Sequence, residues 1–252
     1  LQARIIRRSK ILFLMLENWL SPVPVADLQP ANPAPFQLGQ QLTIYSGGKV
    51  PDLSGIQVAL VGVNAKEANA IRKSLYTLSF PFEGLRVADL GNTRTPSSSF
   101  IIPLLNDLNT AGIIPILLSG DHQHALALYK ALETTLRHIN LVLIDERIRL
   151  RESAPDADDN LLNDPVFAKK SKLFHLGLIG CQSHLVDPET LRFLSEHHHE
   201  VVRLGNARAA ITEVEPVIRD ADLACFHLPA LKRIEAPAQS PASPSGFFLE
   251  EA

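Results

Sequence analysis

Cysteine is scarce in this 252-residue chain: only Cys181 and Cys225 occur, each at the end of a different apolar run. Two such cysteines do not make a disulfide framework, so the sequence indicates a reducing compartment, and we expect a cytoplasmic protein. Glycine-rich phosphate loops of the Gly-x-Gly-x-x-Gly or Walker type are missing, which leaves nucleotide binding without support. The net charge of −3 offers no general basic surface for nucleic acid.

Methionine is scarcer still, since Met15 is the only one and the chain begins with Leu1. Basic residues precede a short apolar run at 11–16. The run is shorter than the roughly 7–15 apolar residues of a signal peptide, and it is far too short to cross a bilayer. Two interpretations remain open: Met15 is the natural start and residues 1–14 derive from upstream sequence, or these residues form a basic amphipathic helix that docks on the domain.

Continuous apolar runs alternate with segments of helical periodicity, as in βαβ units with right-handed crossovers. One example is the segment 65–78, where Ala68, Ile71, Leu75 and Leu78 share a helix face. The sequence therefore predicts a three-layer α/β/α sandwich with a mostly parallel sheet at 41–252, after an irregular lead-in at 1–40. The predicted strands are 56–63, 86–90, 113–118, 140–145, 173–180, 201–204 and 223–228, and the predicted helices are 65–78, 100–111, 123–137, 188–197 and 213–219.

Polar residues follow three of these strands directly. The segments are Ser119-Gly120-Asp121-His122-Gln123, Asp145-Glu146-Arg147-Ile148-Arg149 and Cys225-Phe226-His227-Leu228-Pro229. Ligands of parallel sheets bind at the carboxyl ends of the strands, so we expect a site here.

In spacing and flanking residues, these segments resemble the three metal-binding segments of the ureohydrolase superfamily, which includes arginase, agmatinase and formimidoylglutamase. The resemblance covers roughly residues 40–252 and is closest to formimidoylglutamase-like members. It implies an arginase-like fold, a hydrolase of linear amidine C–N bonds and a binuclear manganese centre. It also implies a homo-oligomer, because related proteins usually form trimers or hexamers.

Residue by residue, the resemblance retains little of the metal site. His122 falls on a family ligand, Asp145 falls on another, and His227 replaces a bridging aspartate. Arg147 and Arg149 replace a histidine and an aspartate. A guanidinium has no acceptor lone pair, and about 5 Å from a dication it would cost on the order of 6 kcal/mol at an effective dielectric of about 20.

We therefore expect no manganese pair, and Arg147 or Arg149 should fill the site and pair with Asp145. The alternative is a single zinc or manganese ion held by His122, Asp145 and His227, with an open water position. The predicted function is a small-molecule- or protein-binding protein that has lost catalysis. The alternative is an active amidine hydrolase, such as a formimidoylglutamase, with one metal or an atypical site.

Glu251 takes the family position that binds the guanidinium-like group of the substrate. The family's last strand and helix would follow it, whereas the sequence ends at Ala252. We expect either a fragment or a domain that needs a partner for this strand.

Several other polar residues are interpreted as structural. Consecutive helical side chains point about 100° apart, so His197-His198-His199 should be a solvated helix end rather than a metal site. His124 should lie at the surface or at the edge of the core. Asp89 and Asn92, which end a strand, should support the fold.

Overall fold

A computed structural model describes residues 16–121, 123–148, 171–239 and 242–252. His122, Arg149 and the segment 1–14 lie outside the described residues. The chain divides into two compact units, Leu1–Thr135 and Leu136–Ala252. Among the described helices, none is both long enough and apolar enough to cross a bilayer.

The first unit holds a five-stranded sheet in the order β1-β4-β3-β5, with β2 also paired to β4. Its pairings are parallel except for β1, which runs antiparallel to β4. The strands are β1 (Leu20–Ser21), β2 (Thr43–Ile44), β3 (Val58–Gly62), β4 (Val87–Thr93) and β5 (Ile114–Leu118), and the helices are α1 (Val25–Leu28), α2 (Leu38–Gln41), α3 (Ala65–Leu75), α4 (Ser98–Thr110) and α5 (His124–Thr135).

The second unit holds a four-stranded, fully parallel sheet in the order β8-β7-β6-β9. Its strands are β6 (Ile139–Ile144), β7 (Leu173–Cys181), β8 (Glu200–Arg203) and β9 (Leu223–Phe226). Its helices are α6 (Pro188–Glu196), α7 (Leu204–Ala209) and α8 (Glu215–Arg219), with short 3₁₀ turns at Ser183–Leu185, Ile211–Glu213, Leu228–Ala230 and Leu249–Glu251.

Apolar residues of the strands form the core of each unit. In the first unit, Val61 and Leu90 cluster with Leu104 and Leu108 of α4. In the second, Val142 and Ile179 cluster with Val214 and Phe247, among other residues. Burial of one such side chain contributes about 1.5–3 kcal/mol, so these clusters supply the main driving force for each sheet.

A buried ionic network joins α3 to β4. Arg72 donates through Nε and Nη2 to both oxygens of Asp89, at 2.7 and 2.8 Å, and both side chains are fully buried. Arg72 Nη1 donates to Asn92 Oδ1 at 2.6 Å, Nη2 donates to the Gly91 carbonyl at 2.8 Å, and Tyr76 donates its hydroxyl to Asp89 at 2.8 Å. The structural role predicted for Asp89 and Asn92 is confirmed.

The histidine tract ends helix α6. His199 N–H donates to the Leu194 carbonyl at 2.8 Å and His198 N–H donates to the Ser195 carbonyl at 3.2 Å, the hydrogen-bond pattern of a Schellman motif. The His197 ring stacks on Phe193 with centroids 4.0 Å apart. The predicted helix end is confirmed, and His198 occupies the left-handed position, at φ +58°, that usually favours glycine.

We predict that His198→Gly stabilises the protein by about 0.5–1 kcal/mol, because glycine adopts this conformation without the Cβ clash. The gain is partly offset by the greater freedom of glycine in the unfolded chain. Chemical denaturation would measure the change. The matched control is His197→Gly, which should destabilise, because it removes the ring from Phe193 at a right-handed position, φ −97°. Equal effects at the two positions would contradict the motif.

Candidate functional site

Asp145 and His227 meet beyond the ends of two neighbouring strands of the second unit. β6 and β9 are parallel and Ile144 pairs with Phe226, so the next residue of each strand lies side by side. Asp145 Oδ2 is 2.6 Å from His227 Nδ1, and the side chains are 15% and 19% exposed. Asp145 Oδ1 accepts the Glu146 N–H at 2.7 Å. This carboxylate–imidazole pair orients the ring, as in sites that handle protons or ligands.

Arg147 pairs with Glu146 and not with Asp145. Its Nη2 lies 2.6 Å from Glu146 Oε1, and Glu146 is only 1% exposed. The sequence predicted that Arg147 or Arg149 would neutralise Asp145, so the structure corrects the partner for Arg147, because His227 and the Glu146 N–H already satisfy Asp145. Glu146 Oε2 is buried without a hydrogen-bond partner among the described residues, a feature that sequence reasoning missed.

Glu251, which the sequence resemblance predicts to bind substrate, pairs with a guanidinium of its own chain. Its Oε1 accepts from Arg208 Nε of α7 at 2.8 Å, and its Oε2 accepts from the Phe248 N–H at 2.8 Å. Burial raises the pKa of Glu251, but the Phe248 N–H and the charges of Arg208 and Lys232 outweigh this and lower the pKa below its usual value. Glu251 is thus ionised and paired with Arg208 of its own chain.

Residues at the end of β5 in the first unit form a hydrogen-bonded turn. Ser119 Oγ lies 2.6 Å from His124 Nδ1, and His124 Nε2 lies 3.0 Å from the Pro96 carbonyl. The Gly120 N–H donates to Glu67 Oε2 at 3.0 Å. His124 is 8% exposed, so it is a buried anchor and not the surface or core-edge residue that the sequence predicted.

The two cysteines are buried and unpaired, as expected for small apolar side chains. Burial raises the pKa of Cys225 to about 12. Burial also raises the pKa of Cys181 to about 11, with opposing contributions from the charges of Arg203 and Asp145. Both thiols are therefore neutral near pH 8.

We predict that both native thiols react with a disulfide reagent at pH 8 at least about 100-fold more slowly than in the unfolded chain, because thiolates are the reactive species. The pKa values in the native state exceed the unfolded value. The native state therefore keeps both thiols protonated to a higher pH than the unfolded chain does. As a result, the free energy of unfolding falls as pH rises from about 9 to about 12. Absorbance of released thionitrobenzoate, with and without guanidinium, measures the rates. Rapid labelling of one native thiol would contradict the predicted slow reaction. The variant Cys225→Ser would then show which of the two cysteines had reacted.

The sequence matches no family model. No curated protein matches it significantly. Solved structures do match. Formiminoglutamase of Trypanosoma cruzi, solved with manganese, superposes with a TM-score of 0.68 at 13% identity, over 85% of this chain and 82% of the other. Formimidoylglutamase of Bacillus subtilis superposes with a TM-score of 0.67 at 17% identity, over 88% of this chain and 79% of the other. Arginase of Bacillus subtilis superposes with a TM-score of 0.57 at 17% identity, over 77% of this chain and 82% of the other.

The chain shares the fold of these three structures. The predicted fold class, α/β with mostly parallel strands and similar to arginase, is thereby confirmed. The predicted resemblance is also confirmed at the level of the fold.

A binuclear manganese centre of the ureohydrolase type does not fit the described residues of this chain. The structure brings together one carboxylate and one imidazole, Asp145 and His227, and these bond to each other. Arg147 has no lone pair to offer and Pro229 has no side-chain donor. Over the part of the chain that the structure describes, no group of three or more His, Cys, Asp or Glu is placed to hold a metal. Two dications need several hard carboxylates, which this donor set does not supply.

Proposed function

We propose that this protein keeps the ureohydrolase fold without the binuclear manganese centre, and that it binds a small molecule or a protein partner and does not hydrolyse an amidine. The observation that carries the proposal is the direct hydrogen bond between Asp145 and His227, at 2.6 Å. These two family metal positions satisfy each other without an ion. A bound dication between them would have to replace that bond.

The charge around this pair supports the same proposal. Arg147 brings a permanent positive charge two residues after Asp145, and its partner is the buried Glu146. Arginine at positions where the family has a histidine and an aspartate lowers the negative charge that two dications require. Glu146 Oε2 is buried and has no hydrogen-bond partner among the residues that the structure describes, which supports a binding role, because a ligand N–H donor would satisfy it.

One observation favours a second function. Asp145 and His227 lie 2.6 Å apart, close enough to contribute two ligands to a single zinc or manganese ion. The third ligand of the site predicted from the sequence, His122, lies outside the described residues. Such a site would keep an open position for water. It would make the protein an amidine hydrolase with one metal, of the formimidoylglutamase type.

Metal content distinguishes the two functions. The protein would be purified without chelators, supplied with Mn(II) and Zn(II), and analysed by ICP-MS. The first function predicts no stoichiometric metal. The second function predicts one zinc per chain. This zinc should be lost in His227→Ala and kept in the control His184→Ala, which changes an exposed histidine. Two manganese ions per chain would refute both.

We also propose that the protein is a cytoplasmic homo-oligomer. The free, buried cysteines are compatible with a reducing compartment. Light scattering would test the assembly, because a mass near 27.7 kDa would contradict it.

A further inference from the structure

A cavity of about 490 Å³ opens in the first unit, beside β2 and the loop that leads into β4. This volume lies within the roughly 300–1,000 Å³ typical of small-molecule sites. No residue of the Asp145–His227 site contributes to it. The lining residues that matter are Gln41, Thr43, Phe80, Phe82, Glu83 and Arg86.

Two aromatic rings form a corner of this cavity. The ring centroids of Phe80 and Phe82 are 5.5 Å apart and the ring planes meet at 70°. The loop is fixed at one end by the Phe80 N–H, which donates to the Phe36 carbonyl at 3.0 Å, and it turns at Gly84, where φ is +79°. Phe82 is 59% exposed. The face of an aromatic ring carries negative charge density, so it attracts cations.

The charges at the cavity also favour a cation. Glu83 is exposed and makes no ion pair or hydrogen bond with any described residue. The guanidinium of Arg86 lies instead over Gly55, where a Cβ would come within 2.6 Å of Nη1. There it contributes to the lowered pKa of Asp52, after the hydrogen bonds from Ser54. Arg86 also lines the cavity, but its acidic neighbour is Asp52, whereas the Glu83 carboxylate has no charged partner among the described residues.

We propose that this cavity binds a small organic ammonium ion, with Phe80 and Phe82 as cation–π walls and Glu83 as the counter-ion. A bare inorganic cation would leave most of the volume empty and would gain little from the rings. An anion would be repelled by Glu83. A neutral ligand of the same shape would keep the apolar contacts and lose both electrostatic ones.

The test compares choline with 3,3-dimethylbutan-1-ol, its uncharged isostere, by titration into ¹⁵N-labelled protein. Choline should shift the amide resonances of residues 80 and 82–87 in a saturable way. The isostere should bind at least about tenfold more weakly, since it lacks the charge that the rings and the carboxylate attract. Each of Phe82→Ala and Glu83→Gln should weaken choline binding by at least about fivefold.

Matched controls come from the same unit. Phe36→Ala removes an aromatic ring that is 61% exposed and does not line the cavity, and Glu17→Gln removes an exposed acid elsewhere. Both should leave choline binding unchanged, with native amide dispersion confirming the fold of every variant. The proposal is overturned if choline shows no saturable shifts, if the isostere binds equally well, or if the control variants weaken binding as much as the cavity variants.

Discussion

Replacement of Arg72 by methionine should lower the free energy of unfolding by about 3–5 kcal/mol, because it leaves a buried charge without its partner. Asp89 would keep only the Tyr76 hydroxyl and the Gly91 N–H, at 2.8 and 3.0 Å, and it is fully buried. Asn92 and the Gly91 carbonyl would lose their donors as well. Denaturant unfolding followed by circular dichroism would measure the loss.

The matched control is Arg192→Met on helix α6. Arg192 and Glu196 lie 3.7 Å apart with side chains 69% and 61% exposed, so this pair should contribute no more than about 0.5 kcal/mol. The double variant Arg72→Met/Asp89→Leu should lose less free energy of unfolding than the two single variants lose together, because no unpaired charge remains. A loss below about 1 kcal/mol in Arg72→Met would show that water or rearrangement satisfies Asp89.

This network also marks the limit of what the periodicity of α3 could predict. Apolar spacing placed Ala68, Ile71, Leu75 and Leu78 on one face of a helix at 65–78. The helix ends at Leu75 and buries Ala68 together with Arg72, while Ile71 and Leu78 are 41% and 56% exposed. The apolar spacing therefore does not mark the buried face, because an arginine is buried where a neighbouring strand supplies a carboxylate, and no pattern within one helix reveals the partner.

The strands themselves were predictable for a physical reason. Buried parallel strands appear as continuous apolar runs, and β3 and β7 begin and end within two residues of the predicted bounds. The apolar run of β5 predicts its bounds as well, although its Ile114 and Ile116 side chains are 64% and 44% exposed. Two-residue strands such as β1 carry no such pattern. Leu20 lies in the segment 1–40 that the sequence predicted to be irregular, and it nevertheless pairs with Thr93 of β4.

The candidate site was predictable in position and not in pairing. Parallel register alone brings Asp145 beside His227 once both strands are assigned. The choice of Glu146 by Arg147, and of Arg208 by Glu251, depends on side-chain directions that a one-dimensional pattern does not contain.

Gly91→Ala should destabilise the protein by about 2–4 kcal/mol, through backbone strain and a collision. Gly91 has φ +82°, and a Cβ there would lie 2.0 Å from the carbonyl oxygen of Ser21. The register between β3 and β4 shifts at this point, so Gly91 forms a bulge that places Asn92 beside Arg72. Alanine would therefore disturb both the β1 contact and the buried network.

Gly112→Ala separates the two causes of this loss. Gly112 has φ +75° and open space around its Cβ position, so alanine should show the strain alone, about 1 kcal/mol. The difference between the two variants then measures how firmly the segment at 20–22 packs on β4. If it packs firmly, this segment is an integral part of the first unit, although the sequence predicted an irregular lead-in. Equal losses of stability in the two variants would mean that β1 moves away from the added methyl group with little loss of free energy.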